Sequence, residues 1–169
     1  MKKYFVVSTM LILISLSVFS QEHSVSNEYP GSIVDVSAGV GQSHGIIGVK
    51  SVLGYKGTGL MLAVGSFDGF TTTAIGFQVA VDWWFASLSY GATGSYEVAF
   101  GGQVDKGLTQ SFVFLTGGRI NLIKSKRLYL ELAAGLAGSD EIPAPFGQVQ
   151  EIEGGLSLGF GLGYRFGNF

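Results

Sequence analysis

The chain has no cysteine, which removes disulfide staples, thiolate metal sites, cysteine nucleophiles and a lipid-modified N-terminal cysteine in one step. Charged residues are 13% of it, about half the ~25% of ordinary soluble domains, so water is not the solvent on every side. No long stretch carries the 3.6-residue apolar period of an amphipathic helix. Two histidines, His23 and His44, do not supply a metal centre. A net charge of −2 with no basic stripe argues against nucleic acid as a partner. What the chain has in excess is glycine, 27 of 169 residues, about twice the usual share.

Met1-Lys2-Lys3, an apolar stretch from Tyr4 to Leu16 and then Ser17-Val18-Phe19-Ser20 before Gln21-Glu22 have the three-part layout of a secretory signal peptide cleaved after Ser20. The apolar core is shorter than the ~20 residues a spanning helix requires. Residues 21–31, ending in Tyr29-Pro30-Gly31, read as an unstructured lead-in, and 32–169 as one domain.

From Ile33 the chain divides into eight alternating segments, approximately 32–41, 46–56, 58–66, 71–81, 84–93, 108–121, 128–138 and 152–166. Turns bearing Gly, Asp and Ser separate them. The last is the plainest: Leu156, Leu158, Phe160, Leu162, Tyr164 and Phe166 share one side, with Gly and Arg165 opposite, because successive strand side chains point oppositely. The turns at Gly57, Asp82-Trp83 and 123–127 are short. At the other end, Gln42–Gly45 and Phe67–Phe70 are short too, whereas 94–107 and 139–151 read as longer loops. An even strand count puts both termini at one end. This pattern predicts an all-β fold, an eight-stranded antiparallel up-and-down transmembrane β-barrel, with both termini in the periplasm.

The faces differ in charge. Val34, Val36, Val40, Ile47, Val49, Leu53, Leu60, Leu62, Val64, Ile75, Phe77, Val79, Leu88, Tyr90, Phe112, Phe114, Ile120, Leu130, Leu132 and Leu136 lie on one face with no charged residue among them. Lys50, Arg119 and Arg165 fall on the other. A Lys or Arg on the lipid side near the midplane costs about 2 to 4 kcal/mol. Alternation alone leaves open a soluble barrel filled by the apolar face. Against that stand the small interior of an eight-stranded barrel, a second face made largely of Gly, Ala and Ser, and the signal peptide.

A hairpin centred on Ser125 sets Arg119 opposite Glu131 and Ile120 opposite Leu130. The turn at Ser43-His44 sets Ser37 opposite Lys50, with Asp35 diagonal to it. Opposite charges facing across strands stabilise each other, and a lone charge inside is costly. Asp35, Lys50, Asp82, Arg119, Glu131 and Arg165 therefore form a candidate lumen network. It acts either as a structural plug or as a gated ion path or ligand site, with Met61, Phe85, Val113 and Leu115 also facing inward. Tyr55, Trp84, Tyr129, Tyr164 and Phe166 fall near one rim, and Phe67, Phe70, Tyr96, Phe100 and Phe146 near the other, where rings anchor a barrel in lipid.

Gly41-Gln42-Ser43-His44-Gly45 matches the G-x-S-x-G nucleophile pattern, but its setting is strand-turn-strand rather than strand-turn-helix, and His44 is expected to point away from Ser43. Gly159-Phe160-Gly161 does not extend to a complete G-x-G-x-x-G. No catalytic, cofactor-binding or metal residue is assigned.

These features resemble the family of small eight-stranded outer-membrane β-barrels, similar to the OmpA transmembrane domain and OmpX, in the compact form common in Bacteroidota-type bacteria. The resemblance covers residues 31–169 and rests on alternation and turn pattern. It implies a Gram-negative outer-membrane location, lipid as surroundings, and a terminal signal read by the barrel-assembly machinery, matched by Gly161, Tyr164 and Phe166. The extra Gly167-Asn168-Phe169 leaves open whether Phe166 or Phe169 ends that signal. The expected role is non-enzymatic, structural or in surface interaction, as a monomer without cofactors. The alternatives are a binding or transport barrel for a small apolar molecule, and a lipid-modifying enzyme in which Ser43, His44 and Glu97 or Asp105 converge.

Overall fold

The computed structural model describes residues 32–55, 57–100, 103–143 and 149–166. The signal peptide, the lead-in, Lys56, Pro145, Phe146 and Phe169 lie outside the described residues. Strands are β1 (Ser32–Gly41), β2 (Ile46–Tyr55), β3 (Thr58–Phe67), β4 (Phe70–Val81), β5 (Trp84–Phe100), β6 (Gln103–Asn121), β7 (Leu128–Ala137), β8 (Asp140–Pro143), β9 (Val149–Ile152) and β10 (Leu156–Phe166). Eight of them close into a barrel in the order β1-β10-β7-β6-β5-β4-β3-β2, and β8 pairs with β9 in a separate two-stranded sheet. Every pairing is antiparallel. Closure leaves the paired part of the barrel without an edge strand. Among the described residues no helix is long and apolar enough to cross a membrane.

The register follows from alternation and short turns. Arg119 pairs with Glu131 and Ile120 with Leu130. Ser37 pairs with Lys50, Ala38 with Val49 and Val40 with Ile47. Such register is strongly specified, because a one-residue slip would send every apolar side chain to the opposite face.

Two segments expected as loops are strands instead. Residues 94–107 belong to β5 and β6, which continue past a bulge between Ala92 and Gly94 and stay paired up to Phe100 opposite Gln103. Tyr96, Val98 and Phe100 keep a two-residue period there, and the Gly101-Gly102 step that follows is a hairpin signal. The second segment, 139–151, contains β8 and most of β9, while β10 starts at Leu156 rather than at 152.

The apolar face is the outer one. Phe77 is 65% exposed, Leu158 62% and Leu132 46%, whereas Lys50 is 2% exposed, Arg119 4% and Glu131 1%. Met61, Phe85, Val113 and Leu115 point inward and are buried, and Phe85, Val113 and Leu115 pack with Ala80 and Ala133. The alternative in which the Val, Leu and Phe face fills the interior does not describe this barrel. Its outer wall is hydrocarbon and its centre is polar and charged.

Candidate functional site in the barrel interior

The interior charges come from five strands of the barrel, β1, β2, β6, β7 and β10. Asp35 on β1 and Arg165 on β10 are register partners, and Arg165 Nε donates to Asp35 Oδ1 at 3.0 Å. Arg119 on β6 reaches across the lumen, donating through Nη1 to Asp35 Oδ2 at 3.0 Å and through Nε to Glu131 Oε2 at 3.3 Å. Lys50 on β2 crosses to Glu131 Oε1 on β7 as an ion pair and donates to Gln78 Oε1 at 3.4 Å. Both carboxylates thus serve two cations each. Burying so many charges is tolerable only when each is paired and hydrogen-bonded.

Aromatic rings insulate these cations. Lys50 Nζ lies 5.4 Å and the Arg119 guanidinium 5.3 Å from the centre of the Phe85 ring. Arg119 and Arg165 lie 4.7 and 5.5 Å from the centre of the Tyr129 ring. Within 6 Å of a ring face, a desolvated cation gains on the order of 2 kcal/mol.

Five of the six expected network residues come together: Asp35, Lys50, Arg119, Glu131 and Arg165. Asp82 does not share this interior. It is exposed in the β4–β5 turn with φ 51, because the turn ends the alternation that would have carried it inward. Tyr129 is also misplaced by the rim reading, since it is fully buried beneath the two guanidiniums. The signal was available: Tyr129 is two residues from Glu131 on one strand, hence on one face. Gln78 is a further member that sequence reasoning missed, two positions from inward-facing Ala80.

The β1–β2 connection holds a second surprise. Gln42–His44 forms a single 3-10 turn that folds into the lumen instead of away from it, so that Ser43 and His44 are buried. His44 does meet Ser43, Nδ1 to Oγ at 3.1 Å, while Nε2 lies 3.0 Å from Ser37 Oγ. Thr72 Oγ1 donates to the Gly45 carbonyl at 2.6 Å, and Ser157 Oγ donates to Gln42 Oε1. A methyl group added at Gly161 would come within 2.7 Å of His44 Nε2, so this glycine clears the space that the imidazole fills. Gly45 and Ile46 take φ 64 and 71, left-handed values at which a β-branched residue is strained. The inward fold sustains that strain. Burial first, then the Lys50 ammonium, hold the imidazole well below its ordinary value, at about 4, with Glu131 opposing.

Among the described residues, the hydrogen bonds of Ser43 and His44 reach each other and Ser37 but no acid. Glu97 is exposed on the β5–β6 hairpin and ion-paired to Lys106 at 2.8 Å. Asp105 is exposed on the same hairpin, opposite Val98. Among the described residues no group of three His, Cys, Asp or Glu is placed to hold a metal. In the terminal strand Tyr164 and Phe166 stack edge to face on the outer wall, 4.7 Å between ring centres, whereas Gly161 faces inward against His44. The glycine and the aromatics of the expected assembly signal are therefore on opposite faces.

Comparisons with known proteins give no match to a family model, a curated protein or a solved structure.

Proposed function

We propose that this chain is an integral bacterial outer-membrane protein of the small eight-stranded barrel type, with a non-enzymatic structural or surface-interaction role. One observation carries this reading: the barrel wears its apolar residues as a continuous outer wall and sequesters Lys50, Arg119, Glu131 and Arg165 at its centre. In water that arrangement would expose far more contiguous apolar surface than the few hundred Å² a soluble monomer tolerates. In a bilayer it satisfies the backbone through closed pairing and keeps ions out of hydrocarbon.

The two rims divide the labour. Short turns join β2 to β3 and β4 to β5 at the end where both barrel termini lie, which is the periplasmic side under this reading. The β5–β6 hairpin and the β8–β9 sheet stand at the opposite end and are the surface offered to the outside. A filled lumen favours anchoring over conduction, as side chains fill barrels of this size. The small-apolar-carrier reading has less support, because the cavity lined by Asp35 and Arg119, at about 20 Å³, is too small for such a cargo and has charged residues in its wall. The lipid-modifying reading has less again, with Ser43 buried and Glu97 exposed.

The test is fractionation of producing cells, followed by electrophoresis of boiled and unboiled protein. A heat-modifiable band in the outer-membrane fraction is expected. Recovery from soluble periplasm would overturn the assignment. For the enzyme reading, a Ser43→Ala strain is expected to have the lipid profile of the wild type.

A further inference from the structure

Outside the lumen, the charges of the barrel are sorted by end. The rim built from the β3–β4 turn, the β5–β6 hairpin and β8 carries Asp68, Glu97, Asp105, Asp140 and Glu141 against the base Lys106. The other rim, where β1 begins and β10 ends, carries Lys124, Lys126 and Arg127 within one exposed turn between β6 and β7, against Asp82 in the turn between β4 and β5. Like charges this close repel one another, and an anionic surface laid against them relieves that repulsion.

The shoulder of the turn indicates what that surface is. Ile120, Leu122 and Ile123 are each close to half exposed and carry the apolar wall up to the first of the three cations. Leu122 N donates to the Leu128 carbonyl at 2.8 Å and Lys126 N to the Ile123 carbonyl at 3.0 Å, so the ladder runs on to the tip and no loop separates cations from wall. Exposed Tyr55 and Trp83 lie at the same end, and such rings mark the border between hydrocarbon and headgroups. Apolar residues directly beneath cations match a phospholipid, whose acyl chains lie beside its phosphate. A soluble anion would engage the cations and leave Leu122 and Ile123 in water.

We propose that the β6–β7 turn is a docking site for phospholipids of net negative headgroup, with Lys124, Lys126 and Arg127 on the phosphates and Leu122 and Ile123 among the acyl chains. The site rests on the outer-membrane reading, and the acidic opposite rim confines the preference to one end of the barrel.

The two tryptophans of the chain, Trp83 and Trp84, lie at the basic end, and the Trp83 ring sits beside Gly118 on β6, so their fluorescence reports the lipids next to this turn. The barrel is refolded into vesicles of phosphatidylcholine mixed with phosphatidylglycerol, and quenching is compared when one or the other lipid carries brominated chains. Both leaflets have one composition, so the direction of insertion does not matter. At low salt, brominated phosphatidylglycerol is expected to quench as though enriched about fivefold over its share, the effect of one cation near an anionic surface. The enrichment is expected to fall at about 0.5 M salt, where exposed charges are screened. The variant Lys124→Gln/Lys126→Asn/Arg127→Gln, in which Asn suits the left-handed φ of 54 at position 126, is expected to stay heat-modifiable and to lose the enrichment. Lys106→Gln at the other rim is expected to keep it. Quenching by neither brominated lipid would overturn the membrane reading and the site with it. Quenching by both in proportion to their shares, or an enrichment unchanged in the triple variant, would overturn the site alone.

Discussion

Glu131 is the residue on which the interior balance turns, because it alone accepts from both Lys50 and Arg119. Glu131→Gln leaves two buried cations short of a carboxylate, and breaking a buried pair this way costs about 3 to 5 kcal/mol. Lys50→Met removes one cation while Arg119 still holds Glu131. It is therefore expected to cost less, and urea unfolding of the two refolded variants checks the order. His44 sets a pH dependence whose sign follows from its depressed value of about 4. The unfolded chain takes up the proton first, so the stability is fully present above about pH 6.5 and is lost as pH falls toward 4 and below. Unfolding midpoints between pH 7 and 4 should decline in the wild type and flatten in His44→Ala. Asp82 and Tyr129 show why single residues were harder to place than strands. Whether a turn carries a side chain in or out depends on one backbone angle, and an aromatic ring near a rim reads alike for lipid and for lumen.

At the scale of the element, the β1–β2 turn and the β5–β6 hairpin depart most from what alternation predicts. The turn is held inside by His44 against Gly161 and by the Thr72 bond to the Gly45 carbonyl. Gly161→Ala forces the imidazole aside. Overpacking of this kind costs about 1 to 3 kcal/mol, and His44→Ala in the same chain is expected to recover part of it in an unfolding titration. The hairpin behaves oppositely, since beyond the bulge β5 and β6 form their ladder with each other alone among the described residues, and that half is tied to the barrel by the exposed bond from Ser95 Oγ to Asp68 Oδ2 at 3.1 Å. Replacing residues 95–106 by a short Gly-containing turn is expected to leave the unfolding midpoint and heat-modifiability of the barrel close to wild type. Long-range contacts drew the turn inward, and no local pattern announces them. The hairpin, by contrast, was legible in Tyr96, Val98 and Gly101-Gly102, and was obscured by the glycines and charged residues that make a segment look like a loop.

For the whole molecule, the test is what surrounds the outer wall. Leu132 lies near the middle of β7 and is 46% exposed. In a bilayer, Leu132→Lys is expected to cost about 2 to 4 kcal/mol. Were the wall in water, the same change would be neutral or mildly favourable. Unfolding from lipid vesicles, compared between the variant and the wild type, distinguishes the two. The outcome bears on the whole barrel because β7 contributes only one stave of a wall that continues through Phe77, Phe112, Leu158 and Phe160.

The sequence by itself determined the eight strands of the barrel, the register of the β1–β2 and β6–β7 hairpins and the separation of charged from apolar faces. These depend on a period of two and on short turns, and both are local properties that each segment carries independently. Only closure of the barrel decided that the charged face is the inner one. Closure also decided that Lys50 meets Glu131 across the lumen, that Asp35 is shared by Arg119 and Arg165, and that the Ser43-His44 turn folds inward over Gly161. Those contacts join residues distant in sequence from opposite walls, and their partners are set by the curvature of eight strands around one axis, which no single strand encodes.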